Sequence, residues 1–479
     1  MGIPGLIIAL AVMWAVGTAF VLALPRRTAL FAGAGAVPWS LGAGGYAGAL
    51  LATLWMRALS LAGVPFGFAA VMAPLALVGV LLGWWAWRRE RAVARAAFTR
   101  AWHTLHAHGL VGHARWLWWL LLAWLALRFA LLLTNVVLQP VYPWDAWTQW
   151  ATKARVWYEL GRIAPFVPAA EWFASDQLVY LDAAPHYPGT VPLLQVFACV
   201  ALGRWDDALM NVPFWVLAVA LALAAYGALR AVGFGALGAL IGAWLTASLP
   251  LANVHVALAG YADLPLAGCV ALAVLAAYRW HDAREAGDGI LALFFVAAFP
   301  LVKIPGRIWV LVLSPGLVVA LLPRYGLKIV GIGLAGALLG LVILAQTHPV
   351  ILNYTLHLDF APEWNALAES YLLLGNWHLL WYGVITIALL GWRQALSPRI
   401  APLSIIVGTG AIFLFIVFNF TNAVAWVADQ TTVNRATLHI APVIVFWMLI
   451  VFRAWFADLS AREIAAAATV AEPDPLSGG

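Results

Sequence analysis

Residues 116–135 read WLWWLLLAWLALRFALLLTN, and Arg128 is the only charged side chain in this run. A helix crosses the hydrocarbon of a bilayer in about 20 apolar residues, because its backbone N–H and C=O groups find no other partners in lipid. The run therefore predicts a transmembrane helix. A buried Arg128 needs a polar partner, for which a carboxylate or a lipid phosphate would serve.

The composition of the whole chain agrees with this prediction. Of its 479 residues, 65% are apolar and 10% are charged, with a mean hydropathy of +0.93, whereas a soluble domain is about half apolar and a quarter charged. These values exclude a cytoplasmic enzyme, a nucleic-acid-binding module and a disordered chain, in spite of a net charge of +6. The 28 Trp suit a membrane protein, because Trp collects where lipid headgroups meet hydrocarbon. Cys199 and Cys269 lie in apolar runs and are expected to be buried free thiols.

The apolar runs along the chain predict an all-α, polytopic transmembrane helix bundle with about thirteen spans. The predicted spans are 4–23, 46–63, 67–87, 116–135, 208–229, 234–252, 264–280, 289–302, 307–323, 328–347, 377–392, 401–420 and 440–455. The span at 289–302 is short and runs into the residues Lys303–Gly306, where Pro305 and Gly306 break a helix. We expect two half-depth helices to meet there at a polar loop, an arrangement that often binds ligands in membrane proteins.

The distribution of Lys and Arg predicts the orientation, because both are enriched in cytoplasmic loops. Residues 88–115 carry six Arg and one acid, so we place this segment in the cytoplasm. Alternation of the spans then puts 17 Lys and Arg inside, 7 outside and 2 within spans. Arg26 and Arg27 follow the first apolar run instead of preceding it, which favours a retained helix over a signal peptide. We therefore expect a multi-pass protein of a bacterial inner membrane with its active site facing outward.

The span pattern divides the chain into three regions. They are residues 1–115 (three spans and a basic cytoplasmic loop), 116–455 (the main membrane domain) and 456–479 (a cytoplasmic tail, partly disordered). Four predicted outward loops are unusually polar, namely 136–207, 253–263, 348–376 and 421–438. The first of these is expected to carry interfacial helices, and its apolar residues 190–203 predict a re-entrant or surface helix.

The first outward loop contains the most informative segment, Tyr142–Arg155. Asp145 precedes a helical pattern that ends at Gly161 and places aromatic residues on one face, which is typical of an amphipathic helix in the membrane interface. Asp145 is a candidate general base, and we expect Trp144, Trp147 and Lys153 to line a cavity or contact an acceptor. The alternative role for Asp145 is a helix N-cap, a position at which Asp is common.

A second acid, Asp263, stands at the outer end of an apolar span, close to His255 and Tyr261, which we expect to line a cavity or contact an acceptor. A carboxylate at a membrane boundary can simply be solvated, but an ionisable group at membrane depth more often lines a cavity. If Asp145 and Asp263 face one outward cavity, they suit acid–base chemistry at a sugar.

Basic residues form a third group on the same predicted face. Lys303 and Arg307 flank the Pro–Gly break, and Arg435 and His439 stand at the mouth of the last span. Arg binds a phosphate with a fork of N–H groups and Lys binds it as a point charge. The alternative is that these side chains extend toward lipid headgroups. We predict a phosphate site, because this face otherwise has few cations.

Asp182 and His186 are a weaker pair of candidates, for contact with an acceptor or for loop structure alone. The spacing of His, Cys and Asp predicts no metal site, and the sequence leaves open whether a divalent cation acts as a cofactor. The chain also lacks a GxSxG motif, a Walker loop and a dinucleotide fingerprint.

The arrangement resembles the GT-C superfamily of membrane glycosyltransferases, which includes the protein O-mannosyltransferases and the lipid A aminoarabinose transferase. Four segments carry the resemblance: Trp144–Trp147, the run from His186 to Gln195, Gly260–Pro265 and Asn434–His439. It covers about residues 116–455 in layout. The first three spans are additional to the usual core. Ile304 and Pro305 stand where some relatives have an Asn–Glu pair.

The resemblance implies an inverting transfer of sugar from a polyprenyl-phosphate carrier on the outer face. Asp145 matches the essential Asp of the first outward loop, and Asp263 matches the second acid of many relatives. The implied partners are the lipid-linked donor, a lipid or glycan acceptor and membrane lipids, without nucleic acid.

Two other functions fit parts of the pattern. A transporter or flippase for lipid-linked sugars would share the cationic cavity and the broken helix, but would not need an acid at its outer mouth. A ligase or polymerase of the O-antigen type would depend on Arg435 and His439 more than on Asp145. A purely structural scaffold would not explain the titratable groups on one cation-poor face.

Overall fold

The apolar runs of the sequence form helices. A computed structural model of the chain describes residues 2–26, 33–105, 109–351, 354–360 and 362–471, and the side chains of all of these except 90–105 and 465–471. The structure is 76% helix and 2% strand, which confirms the all-α prediction.

Long apolar segments give the helices, with caps and breaks at Gly and Pro. In chain order the helices are α1 (Gly2–Ala23), α2 (Ala36–Leu61), α3 (Phe68–Leu105), α4 (Gly112–Leu138), α5 (Thr152–Leu160), α6 (Ala169–Ala174), α7 (Thr190–Leu202), α8 (Val212–Ala231), α9 (Ala236–Ala247), α10 (Pro250–Ala257), α11 (Asp263–Ala283), α12 (Ala286–Val302), α13 (Gly306–Leu321), α14 (Gly326–Ala345), α15 (Trp364–Ala368), α16 (Leu380–Leu390), α17 (Trp392–Ala395), α18 (Ala401–Phe420), α19 (Thr431–Leu438) and α20 (Ala441–Ala471). Short π-helical segments occur at Ala146–Ala151 and Glu369–Leu373, and short 3₁₀ segments at Leu209–Asn211 and Asn422–Trp426.

Strands are confined to two small ladders in the loops. The parallel ladder pairs β1 (Phe166–Val167) with β2 (Tyr180–Leu181), and the antiparallel ladder pairs β3 (Val350–Ile351) with β4 (Tyr354–Thr355).

Every predicted span coincides with a helix, but fewer helices are long enough to span alone. Among the described residues eight helices are long and apolar enough to cross a membrane, or nine if α9 and α10, bent by 60°, are one span. Shorter apolar helices occupy the predicted spans at 289–302, 307–323 and 377–392, and α2 occupies 46–63. The long apolar helices are consistent with a multi-pass membrane protein.

The bundle is organised around α8 and α11, which are buried along most of their length. In contrast, α14 is almost entirely exposed, although it is more apolar than either of them. A helix that is apolar all round is either buried in protein or faces lipid. We therefore expect α14 to face lipid and α11 to hold a fixed position near the centre.

The helices of residues 1–115 pack on this centre through small residues. A Cβ at Gly17 of α1 would lie 2.0 Å from the carbonyl oxygen of Gly44 in α2. A Cβ at Gly42, on another side of α2, would lie 2.3 Å from the backbone nitrogen of Ala224 in α8. Glycine permits this close approach of backbones. The first helices therefore form part of the same packed bundle as α8.

The hydrogen-bond partners of Arg128 differ from those expected from the sequence. Its Nε donates to the side chain of Asn253 over 2.9 Å, and its Nη2 donates to the carbonyl oxygen of Ser248 over 3.4 Å. Both partners lie where α9 bends into α10, and a helix break leaves polar groups free to accept hydrogen bonds. Within the protein, the partners of Arg128 are therefore an amide side chain and a backbone carbonyl, and not a carboxylate.

One other prediction needs correction. All residues of α7 are buried, so the apolar run at 190–203 is not a surface helix. Its sequence is apolar on every face, and an interfacial position would leave one apolar face in water. The predicted tail, 456–479, contains the end of the last helix, α20, which continues to Ala471. The predicted disorder of 472–479 lies outside the described residues.

Candidate active site

The helical structure is interrupted between α12 and α13, and Lys303 stands at this break. Lys303 has an extended backbone, with φ −154° and ψ 150°, and Pro305 precedes the first residue of α13. Gly306 permits the tight turn, because a Cβ there would lie 2.2 Å from the carbonyl oxygen of Phe299. This is the polar break that the sequence predicts between two short helices.

Asp263 is the first residue of α11 and lies directly opposite Lys303. Its side chain is fully buried, and the Nζ of Lys303 donates to its Oδ1 over 2.5 Å. The helix N-terminus favours a negative charge at this position. Gly260, with φ +98°, makes the turn that starts the helix here. Asp263 is therefore a buried anion in a pocket built by two helix termini.

Helix α19 brings two more side chains to Asp263. Arg435 and His439 are four residues apart, about one helical turn, so their side chains lie on the same face. Nε of Arg435 donates to Oδ2 of Asp263 over 3.1 Å, and Nε2 of His439 lies 3.0 Å from Oδ1. Two buried contacts hold α19 in place: Trp377 donates to Asn434 over 2.8 Å, and the hydroxyls of Tyr371 and Thr437 lie 2.6 Å apart.

Arg435 also reaches Asp145, so one guanidinium joins both predicted carboxylates. Its Nη2 lies 2.7 Å from Oδ2 of Asp145 and 3.1 Å from Oδ2 of Asp263. The guanidinium also stacks over the ring of Tyr261, 4.6 Å from its centroid. Asp145 makes no N-cap hydrogen bond to the helix that follows it, so the capping alternative is wrong. That helical region ends at Gly161, as predicted.

Charge and burial act against each other at the cations of this cluster. Burial lowers the pKa of Lys303, and the charge of Asp263 only partly offsets this effect. Burial also acts to lower the pKa of Arg435, but the charges of Asp263 and Asp145 outweigh it and raise the pKa above its usual range. Arg435 is therefore a permanent cation, and Lys303 is held by its contact with Asp263.

His255 supports the cluster from behind. Its Nδ1 lies 2.9 Å from the carbonyl oxygen of Leu251, its Nε2 lies 4.0 Å from Oδ2 of Asp263, and its ring packs edge-on against Tyr261. Contrary to the prediction, neither His255 nor Tyr261 lines the cavity described next. They contact the cluster from within the protein and fix the positions of Asp263 and Arg435.

A cavity of about 330 Å³ opens directly in front of these charged groups. All four polar loops that are predicted to face outward contribute to its lining, as does the break between α12 and α13. The lining residues are Asp145, Gln149, Trp150, His186, Tyr187, Asp263, Lys303, Ile304, Pro305, Ile308, Trp309, Tyr354, Phe413, Leu414, Val417, Phe418, Trp426, Thr432, Arg435, Ala436 and His439. The cavity thus has one charged wall and several aromatic walls.

Five of the predicted site residues lie elsewhere. Trp144 and Trp147 point outward, with 70% and 45% of their surfaces exposed, and Arg307 is exposed beyond the turn. Lys153 and Asp182 instead form a buried ion pair, with Nζ 3.0 Å from Oδ1. In the helical segment that starts at Asp145, the side chains that face the cavity are Asp145, Gln149 and Trp150. Trp144 and Trp147 lie on the opposite, exposed side.

The aromatic walls were missed by sequence reasoning. Trp150 and Tyr187 pack edge-on at 5.2 Å on one side, and Tyr354 and Trp426 pack at 5.9 Å on another. Tyr354 and Trp426 belong to polar outward loops, which is a usable signal. Trp309 and Phe413 lie in apolar helices of a chain with 28 Trp and 22 Phe, where no sequence signal marks them.

The chemistry of the donor groups bears on metal binding. Across the described ranges, no group of three or more His, Cys, Asp and Glu could hold a metal ion. Both carboxylates of the site are paired with cations: Asp145 with Arg435, and Asp263 with Arg435 and Lys303. The arrangement can hold an anion at its exposed cation and can accept a proton at Asp145, whose side chain is 24% exposed. Compared with known proteins, the chain matches no family model, no curated sequence and no solved structure.

Proposed function

We propose that this protein is a multi-pass membrane glycosyltransferase of the GT-C type. It moves a sugar from a polyprenyl-phosphate carrier to a lipid or glycan acceptor, with inversion, at the extracytoplasmic face of a bacterial inner membrane. The observation that carries the proposal is the pairing of Asp145 with Arg435 at the mouth of a cavity that Lys303 also lines. A proton acceptor and phosphate-binding cations stand side by side there. The segregation of Lys and Arg along the chain supports the outward orientation.

In the proposed reaction the acceptor hydroxyl attacks the anomeric carbon of the donor sugar. Asp145 takes the hydroxyl proton while the new C–O bond forms. The bond between the anomeric carbon and the phosphate oxygen breaks, and its electron pair stays on the phosphate. Attack opposite the leaving phosphate inverts the anomeric carbon. General-base help of this kind contributes on the order of a hundredfold to ten-thousandfold.

The leaving phosphate gains negative charge as the bond breaks, and Arg435 and Lys303 are positioned to stabilise it. Both side chains are fixed by Asp263 before any substrate arrives. Fixed cations in a partly dry cavity stabilise developing charge without reorganising during the reaction. Arg307, although predicted for this role, is exposed outside the cavity.

The two carboxylates have different roles in this proposal. Asp263 has 0% exposure and contacts Lys303, Arg435 and His439, so an acceptor hydroxyl has no access to it. Asp145 is partly exposed and contacts one cation. Asp145 is therefore the base, and Asp263 orients the cations instead of the acceptor.

A ligase of the O-antigen type is the second candidate. It is favoured by the convergence of Arg435 and His439 at the cavity, because that reaction class depends on these residue types. In this case Asp145 would be dispensable. A lipid-linked sugar transporter would consume no donor at all.

The experiment is a transfer assay with purified protein in nanodiscs. The donors are prenyl-phosphate hexoses and pentoses, and the acceptors are membrane lipids and glycans from a bacterial envelope. We expect release of prenyl phosphate, reduced about a hundredfold or more by Asp145→Asn. The control is Glu159→Gln, which removes a carboxylate from an exposed ion pair on the same helical region. Near-normal turnover of the Asp145→Asn protein would remove Asp145 as the base, and no consumption of any donor would favour the transporter.

A further inference from the structure

Arg435 is held unequally by the two carboxylates that it joins. Asp263 retains Lys303 and His439 as partners if Arg435 turns away. Within the described part of the chain, Arg435 is the only charged side chain that contacts the carboxylate of Asp145. The same Nη2 serves both acids, whereas Nε binds Asp263 alone. Nη2 can therefore leave Asp145 while Nε keeps the side chain anchored.

In the structure, both cations that line the cavity are paired with carboxylates. Lys303 and Arg435 face Asp145 and Asp263, and they are the only Lys and Arg among the described residues that line the cavity. The side chain of Lys303 is only 9% exposed, whereas that of Arg435 is 24% exposed. A phosphate that enters the cavity therefore meets Arg435 first and finds it paired with Asp145.

The guanidinium fork is better matched to a phosphate than to two separate carboxylates. Arg binds a phosphate through two parallel N–H···O bonds, and such bonds are short and strong. In the structure, Nη2 instead divides its contacts between Asp145 and Asp263 at 2.7 and 3.1 Å. A phosphate that takes over this nitrogen gains a paired contact at the expense of one contact to Asp145.

We infer that the donor phosphate and Asp145 compete for Arg435, so that phosphate binding releases Asp145 to act as the base. This inference rests on the proposed function and adds a substrate-controlled step to it. Without the donor, the Oδ2 of Asp145 accepts a hydrogen bond from Arg435 and is not available to an acceptor hydroxyl. With the donor bound, Arg435 remains on Asp263, the phosphate occupies its outer N–H groups and Asp145 faces the cavity. The donor must then bind before the acceptor is activated.

The inference predicts two opposite effects of replacing Asp145: transfer is lost, but phosphate binding becomes stronger. The probe is farnesyl phosphate, and farnesol is the control ligand without the anion. Binding of both is measured to nanodisc-embedded wild type, Asp145→Asn, Asp145→Ser and Glu159→Gln. We expect both Asp145 variants to bind farnesyl phosphate roughly five- to tenfold more tightly than wild type, with farnesol unchanged. Glu159→Gln removes the same charge outside the cavity and should stay within about twofold of wild type, because exposed charges are screened.

The outcomes separate this inference from the proposed function. If wild type binds farnesyl phosphate and both Asp145 variants bind it equally or more weakly, the competition does not exist, while the phosphate site stands. If Glu159→Gln strengthens binding as much as Asp145→Asn does, the effect is one of overall charge and the competition is again refuted. If neither wild type nor the variants bind farnesyl phosphate in preference to farnesol, the proposed function fails, and this inference fails with it. Two Asp145 variants of different side-chain size guard against a folding defect in one of them.

Discussion

Trp309 donates its indole N–H to Nδ1 of His439 over 3.1 Å in the wall of the cavity. An indole nitrogen can only donate, so Nδ1 of His439 must be the accepting nitrogen. The hydrogen of a neutral ring then lies on Nε2, which points at Oδ1 of Asp263 over 3.0 Å. Trp309 thus selects the tautomer of His439 in which Nε2 donates to the buried carboxylate of Asp263.

This contact leads to a prediction about pH. Burial lowers the pKa of His439 to about 4, and the hydrogen bond and charge of Asp263 oppose the shift without reversing it, while Lys303 and Arg435 add to it. The unfolded chain has an ordinary His pKa of about 6.5 and takes up a proton between these values, so stability falls as pH decreases from about 6.5 to about 4. The loss is on the order of 3 kcal/mol.

The measurement is thermal unfolding in detergent between pH 7.5 and 4.5. We expect His439→Gln, which keeps a donor for Asp263, to show a flatter decline than wild type. His186→Gln is the control, because His186 lines the same cavity but is exposed. Parallel declines in wild type and His439→Gln would show that His439 does not titrate in this range.

The burial of Asp263 leads to a prediction about stability. Replacing it by Asn leaves Lys303 and Arg435 beside a neutral amide in a buried site, and breaking a buried ion pair in this way costs about 3–5 kcal/mol. Asp282→Asn is the matched control, because Asp282 pairs with Arg399 at 2.7 Å where the side chains are 29% and 58% exposed. We expect the control to cost less than about 1 kcal/mol. Equal shifts of the melting temperature would contradict the buried character of the Asp263 cluster.

Much of this arrangement could be predicted from local sequence, because the membrane imposes one strong rule. Apolar runs of sufficient length form helices, and α4 and α18 lie where hydropathy puts them. Polar residues in loops on the same predicted face are then confined to one end of the bundle, where they can come close together. Asp145, Asp263 and Arg435 are far apart in sequence, yet they meet because each stands at the end of a helix on that face.

What could not be predicted depends on tertiary packing. Lys153 and Asp182 are 29 residues apart, and no periodicity indicates that they pair with each other away from the cavity. The burial of α7 depends on neighbouring helices that its own sequence does not specify. Hydropathy alone also does not show which spans are complete, because α12 and α13 are apolar but only 17 and 16 residues long.

The Lys153–Asp182 pair leads to a prediction about coupling between two substitutions. Nζ of Lys153 also donates to the carbonyl oxygen of Ala184 over 2.7 Å, which fixes the loop leading to His186. Burial lowers the pKa of Lys153, although Asp182 opposes the shift. Lys153→Met or Asp182→Leu alone leaves an unpaired buried charge and should cost about 3–5 kcal/mol. The double variant should be more stable than either single variant, since it leaves no such charge.

A double-mutant cycle of unfolding free energies checks this prediction. Arg155→Met and Glu159→Leu provide the matched exposed pair, 2.7 Å apart with side chains half exposed, for which we expect a coupling below about 1 kcal/mol. Additive costs at Lys153 and Asp182 would mean that the pair contributes only through packing.

The last prediction concerns the contact between α2 and the helix that carries Asp263. A Cβ at Gly268 would lie 2.0 Å from the hydroxyl oxygen and 2.1 Å from Cζ of Tyr46, which is 1% exposed. Gly268→Ala should therefore destabilise the protein by about 1–3 kcal/mol, although Ala is the better helix former. Adding Tyr46→Leu removes the ring atoms and should recover part of the loss. Gly336→Ala on α14 is the control, because a Cβ there meets nothing within 4 Å.

Thermal unfolding and size-exclusion profiles of these four proteins provide the measurement. Gly268 lies less than two turns below Asp263 on α11, so a helix displaced by the new Cβ also moves the carboxylate that holds Lys303 and Arg435. Farnesyl phosphate binding should then weaken in Gly268→Ala and recover with Tyr46→Leu. If Gly268→Ala is as stable as Gly336→Ala, α2 is not pressed against α11 as described, and the first three helices have no mechanical connection to the site by this route.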